Sequence, residues 1–258
     1  MTFPFKLTSG RAPRAVVFDL DDTLIHGDCT RLWTTWLYET GTTTDPIYQA
    51  VTDRMIKDYC QGTLDPHQFL ADIMPSIEHL TENDLKALID RFIDVKIKPI
   101  LFAQGLDLIA KARADQLPCV IISASASFLV KPIAHFVGID EAIGVDLVMA
   151  NGIPTGTIVG TPSFREGKIT RLLSWLDAKN RTSDERFMPP MVPKDIFFLT
   201  DSHNDLPLAS YAGGCAVVNP DARLAHEAEQ LYLSKYLSMV NKHIWRDKWG
   251  ILKTYVTA

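Results

Sequence analysis

Five carboxylates at two places in the chain are the first candidates for chemistry. Asp19-Leu20-Asp21-Asp22-Thr23 closes one short apolar run, and Asp201-Ser202-His203-Asn204-Asp205 closes another. Ser123 ends a third run, and Lys168 opens a helical pattern. Carboxylates converging from two strand ends repel each other, and such a cluster is tolerable only with a cation among them. An all-oxygen donor set suits a hard ion, so Mg²⁺ is the expected cofactor. Each fragment alone is weak, because acidic residues at strand ends also cap helices and sit in solvated turns. The ordered set carries the signal: Asp-x-Asp-x-Thr, then Ser, then Lys, then Asp-x-x-x-Asp.

The elements that must position these residues read as an α/β chain. Arg14 to Leu20, Leu117 to Ser123, Asp195 to Thr200 and Cys215 to Val218 are short apolar runs of the kind buried on both faces of a parallel sheet. Helical patterns lie between them at Leu106 to Ala114, Phe128 to Phe136, Lys168 to Ala178 and Leu206 to Ala212. The alternation predicts right-handed βαβ units and a doubly wound parallel sheet, with ligands at the carboxyl ends of the strands.

Two stretches interrupt it. Residues 29–98 show helical spacing only: Leu32 with Trp36, Trp33 with Leu37, then Ile47, Val51, Met55 and Tyr59. Thr81 and Asp84 predict a capped helix start, with Leu85, Leu88, Ile89 and Phe92 on its apolar face. The second interruption, Val145 to Gly160, predicts a β-hairpin turning at Asn151-Gly152 in a type I′ loop. The expected organisation is a core of residues 1–28 and 99–230, a helical cap of 29–98, and a tail of 231–258. In that tail Leu233, Leu237, Val240 and Ile244 form a helical stripe among Lys235, Lys242, Arg246, Lys248 and Lys253. A basic amphipathic helix is expected there, packed on the protein itself or on a twin subunit, with membrane contact as the alternative.

Composition excludes several classes. A net charge of −5 argues against nucleic acid as a partner, and 47% hydrophobic content is ordinary for a globular chain. No apolar run approaches the roughly 20 residues of a membrane span. Met1 to Arg14 has no apolar segment of the signal-peptide kind, which leads to an expectation of a cytoplasmic protein. Cys29, Cys60, Cys119 and Cys215 are widely spaced, without zinc-finger pattern, and read as buried or half-buried thiols.

On these residues the chain is identified as resembling the haloacid dehalogenase superfamily of aspartate-nucleophile phosphohydrolases. The likeness is to its phosphoserine-phosphatase-like branch, which carries a helical cap after the first motif. Phe18-Asp19-Leu20-Asp21-Asp22-Thr23-Leu24 matches the first motif, Ile121-Ile122-Ser123-Ala124-Ser125 the second, and Glu166-Gly167-Lys168 the third. Leu199 to Pro207 matches the fourth, although Ser202-His203 stands where Gly is commoner. The resemblance implies that Asp19 attacks phosphorus and that Asp21 is the general acid and base. It implies further that Mg²⁺ is held by the Asp19 and Asp201 carboxylates and the Asp21 carbonyl. Ser123 and the Ala124 amide would hold a phosphoryl oxygen and Lys168 would neutralise the others. Asn204 and Asp205 would support the metal waters and orient Lys168, while Thr23 fixes the loop and Asp22 and His203 are loop residues.

The resemblance also implies a small phosphomonoester substrate. Asp28 falls where the branch carries an acid that contacts the substrate amine, and a role as helix N-cap is equally open. Histidinol phosphate is the favoured substrate, because phosphoserine would need a basic clamp for which Arg31, Arg54 and Arg91 are the candidates. The other readings are a lipid-phosphate (phosphatidylglycerophosphate-type) phosphatase and a catalytically silent binding protein.

Overall fold

A computed structural model of the chain describes residues 3–220, 224, 244–247 and 250–255. Its strands are β1 (Ala15–Phe18), β2 (Cys119–Ala126), β3 (Glu141–Val145), β4 (Leu147–Ala150), β5 (Ile153–Ile158), β6 (Ile196–Thr200), β7 (Gly214–Val217), β8 (Ile244–Asp247) and β9 (Gly250–Tyr255). The main sheet has the order β3-β2-β1-β6-β7-β9-β8, parallel from β3 to β7, with the last two strands antiparallel. The order reverses between β1 and β6, and in open α/β sheets the crevice at such a reversal takes the ligand.

The helices are α1 (Cys29–Glu39), α2 (Ile47–Gln61), α3 (Pro66–Ile73), α4 (Glu82–Phe92), α5 (Ala103–Ala114), α6 (Ser127–Phe136), α7 (Glu166–Asn180) and α8 (Leu206–Tyr211). Side chains of β1 alternate between two cores: Val16 and Phe18 join the cluster on one face, Ala15 and Val17 the cluster on the other. The first cluster runs on into the inserted helices through Trp33, Leu37, Val51, Leu70, Ile89 and Phe92. Trp33 meets Phe92 of α4 edge-on at 5.2 Å and Phe128 of α6 at 5.9 Å, so one ring joins the insert to the sheet's own helices. α4 begins with the capping box expected at Thr81 and Asp84. β4 and β5 form the expected hairpin, with Asn151 and Gly152 at φ 52° and 80°, the left-handed pair of a type I′ turn.

Three expectations are corrected. β3 has no counterpart among the strands expected from the sequence, since only Ile143 to Val145 of its five residues are buried. Ile244 and Trp245, expected on or beside a tail helix, lie in β8, because β9 adds to the free edge of β7 and β8 pairs onto β9. The rest of the expected stripe, Leu233, Leu237 and Val240, lies outside the described residues. Cys60 is exposed rather than buried, one residue past the Val51–Met55–Tyr59 face of α2. Among the described residues no helix is long and apolar enough to cross a membrane.

Candidate active site

The carboxyl ends of β2, β1 and β6 lie side by side, with Phe18 opposite Ile121 on one side and Leu199 on the other. Asp19 therefore leaves the sheet between Ser123 and Asp201, and its own N–H still donates to Leu199 O at 2.9 Å. The chain turns sharply after it: Asp22 sits at φ 49° and accepts from Gly27 N at 2.7 Å. Thr23 Oγ1 reaches across to Asp201 Oδ1 at 3.3 Å, joining the two acidic loops.

Lys168 enters from α7 and is completely enclosed, at 1% exposure. A cation in the first turn of a helix opposes the helix dipole and needs anionic partners. Its ammonium finds Asp19 Oδ1 at 3.0 Å and Asp205 Oδ1 and Oδ2 at 2.6 and 2.7 Å. Thr200 Oγ1 donates to the same Asp205 carboxylate at 2.7 Å. The approach depends on Gly167, where a Cβ would lie 2.0 Å from Pro162 O and push the first turn of α7 away.

Asp21 has different neighbours. Cys29 N donates to its Oδ1 at 2.6 Å, and the hydroxyls of Ser125 and Ser123 approach Oδ2 at 2.8 and 3.3 Å. Ser123 is fully buried and also accepts from Ser125 N. Ala124 and Ser125 line the cavity. Asp28 caps α1, accepting from Arg31 N at 2.8 Å, and also lines the cavity. Asn204 lines the cavity, and its amide also donates to Tyr59 O in the insert at 3.1 Å. Asp205 meets Lys168.

The electrostatics follow from burial. Loss of water raises the Asp19 carboxyl, Lys168 opposes and Asp205 adds, which leaves it at about 6. Burial, then the charges of Asp28 and Asp19, push Asp21 up to about 7. Burial and the neighbouring Asp19 and Asp205 hold Asp201 well above the usual carboxylate range. Burial alone would lower Lys168, but its two carboxylates outweigh that and raise it. One ammonium thus faces an excess of buried acid, and a second cation beside Asp19 and Asp201 would offset the remainder. No group of three or more His, Cys, Asp or Glu side chains among the described residues forms a metal cage. Two carboxylates completed by a backbone carbonyl and water nevertheless fit a hard divalent ion, which keeps several waters.

Above the crest lies a cavity of about 670 Å³, roofed by α1, α2 and α3. Its wall combines Asp19, Asp21, Asp28 and Asp201 with rings such as Trp33 and Phe69. Arg31 is the sole Arg or Lys among the described lining residues, and it is exposed. The two other candidates for a basic clamp are engaged elsewhere. Arg54 pairs with Asp72 at 2.7 Å, and Arg91 lies over the Trp36 ring.

Sequence reasoning missed Ser125, Tyr59 and Thr200 as members of this constellation. Ser125 sits within the Ser-Ala-Ser run, and strand alternation puts it on the same side as Ser123, a signal that was available. Tyr59 had only its helical spacing.

Comparison with known proteins adds the following. The family profile of haloacid dehalogenase-like hydrolases matches residues 16–210. A histidinol-phosphatase of Neisseria meningitidis is 31% identical over 215 residues, covering 83% of this chain and 94% of that one. A Bordetella pertussis protein of unknown function has a similar structure, with a TM-score of 0.74 and 29% identity over 85% of this chain and 96% of its own. A substrate-bound phosphoserine phosphatase shares the fold at a TM-score of 0.60 and 16% identity, covering 84% of this chain and 90% of its own.

Proposed function

The chain belongs to the haloacid dehalogenase-like hydrolases and is a phosphatase among them, and on that premise we propose that it hydrolyses histidinol phosphate through an aspartyl-phosphate on Asp19. Residues 1–28 and 99–230 would form the catalytic core, with 29–98 as the cap that excludes water from the reaction. Mg²⁺, held by the Asp19 and Asp201 carboxylates and the Asp21 carbonyl, would supply the positive charge that lets an anionic nucleophile approach an anionic phosphate.

The chain's own residues then divide the work. Asp19 attacks phosphorus in line with the leaving alkoxide, forming a P–O bond to its carboxylate as the substrate's P–O bond breaks. Lys168 spreads its charge over the equatorial oxygens, and Asp205 holds that ammonium in place. Ser123 and the Ala124 amide take up a phosphoryl oxygen. Asp21, raised to about 7, carries a proton near neutral pH. It donates that proton to the alkoxide, then takes one from the water that attacks the phosphoenzyme. Thr23 keeps Asp201 in register, and Asn204 joins the loop to the cap.

The cavity's charge carries the substrate choice. Asp28 and Asp22 line it, and the sole Arg or Lys among its described lining residues is the exposed Arg31. This favours a cationic amino alcohol phosphate over a substrate with a carboxylate to be clamped. The Neisseria relative's name supports the same reading. Phosphate release with Mg²⁺ across histidinol phosphate, phosphoserine, sugar phosphates and phosphatidylglycerophosphate tests it. Histidinol phosphate should lead in kcat/KM; a clear preference for phosphoserine would overturn the assignment.

A further inference from the structure

Between the insert and the acidic crest, two hydrogen bonds cross at one residue. Tyr59, in the last turn of α2, donates its hydroxyl to Ser202 Oγ at 3.1 Å. Asn204 Nδ2 donates in return to the Tyr59 carbonyl at 3.1 Å. That carbonyl already accepts from Gly62 N at 3.0 Å at the C-cap of α2, and its second lone pair takes the Asn204 amide, so the loop is fastened to the end of α2. Ser202 Oγ also accepts from Asn204 N at 3.2 Å, holding the turn His203–Asp205. A hydroxyl oxygen has two acceptor lone pairs, so both donors are served at once. Ser202 and Asn204 are 2% and 4% exposed, which shields the bonds from competing water.

The tyrosine ring reaches the other catalytic segment as well. It lies 5.8 Å from the Phe164 ring, just before the helix that carries Lys168. Next to it Arg165 packs on Gly62, where a Cβ would fall 2.9 Å from Nη2. Burial, with Asp205, Asp19 and Asp201 close by, keeps the Tyr59 phenol well above its ordinary pKa and therefore a donor.

We propose that Tyr59 is a positioning residue that ties the end of α2 to the Asp201–Asp205 loop, so that seating the cap over the cavity and setting Asp201 and Asn204 in place are one event. The acceptor is the hydroxyl of Ser202, which a glycine at that position would lack. The inference rests on the phosphatase reading given above.

The test is a double-mutant cycle of Tyr59→Phe, Ser202→Ala and the pair. Tyr59→Phe keeps the ring in its packing, and a thermal melt confirms that each variant folds. Three quantities are read: amide exchange in the last turn of α2 and in residues 202–205 without ligand, the Mg²⁺ dissociation constant by calorimetry, and kcat and KM on the best panel substrate. Each single variant should speed exchange at both ends of the bond and weaken Mg²⁺ binding by about fivefold, the factor for one hydrogen bond of ordinary net strength. The double variant should be no worse than Ser202→Ala, which also loses the bond from Asn204 N. Additive effects, or exchange and Mg²⁺ binding in Tyr59→Phe equal to wild type, would overturn the tie. Failure of the wild type to release phosphate from any ester would instead sink the functional reading, while the exchange and binding cycle would still decide the tie.

Discussion

Asp19 and Asp21 stand two residues apart at the end of one strand, yet they belong to two different regions. Asp19 faces the inner side of the crest, where it shares a fully buried ammonium with Asp205. Asp21 faces the cap side, where hydroxyls and a backbone N–H serve it and the nearest charges are acidic. A carboxylate held by an ammonium stays ionised and nucleophilic. One held by neutral donors beside Asp28 keeps a proton near pH 7. Environment rather than residue type separates nucleophile from acid.

The comparison breaks most completely at Asp19. Asp19→Asn should lower turnover on the order of 10⁴-fold or more and abolish phosphoenzyme trapping, since removal of a nucleophile disables the whole unit. Turnover near wild type would discard the covalent route. Asp21→Asn should cost about 10²- to 10⁴-fold, the usual range for general acid-base catalysis. Its loss should shrink on a nitrophenyl phosphate, whose leaving group needs no proton; an equal loss on both esters would remove Asp21 from the acid role.

Lys168→Met strips the inner region of its cation and leaves two buried carboxylates unpaired. A urea titration should show destabilisation of about 3–5 kcal/mol. A change below about 1 kcal/mol would mean that the pair contributes only as an exposed one does.

A smaller effect sharpens the contrast through pH. Asp19, at about 6, and Asp21, at about 7, bind protons more tightly folded than unfolded. Without metal, their contribution to stability is therefore fully present below the unfolded value of 3.8 and is lost as pH rises through 6 and 7. The Tm of metal-free protein should fall between about pH 5 and pH 8, and Mg²⁺ should raise it more at the higher pH. A Tm shift larger at pH 5 would contradict the placing of the cation among these carboxylates.

Much of the site was legible because its residues close strands. β1, β2 and β6 are apolar runs buried on both faces, and such runs announce themselves: β1 and β6 stop just before Asp19 and Asp201, while β2 loses its large apolar residues at Ser123 but continues as strand to Ala126. β3 was not legible, because Glu141–Val145 is a short edge strand with one face half covered. β8 was misread since Ile244 continues a helical spacing, while its strand state depends on β9 pairing with β7, a contact made with residues nearly 40 positions away in the chain.

By itself the sequence determined the chemistry available: which carboxylates and hydroxyls lie at the strand ends, which ammonium opens a helix, and in what order, because apolar periodicity and element ends are local properties. Only the tertiary structure decided that Asp19 shares Lys168 with Asp205, that Asn204 turns to Tyr59, and that Arg54 and Arg91 pair away from the cavity while Arg31 lines it. Each of these is a contact between segments far apart in the chain, chosen by the competition for burial and for partners once the sheet and the cap have closed on each other.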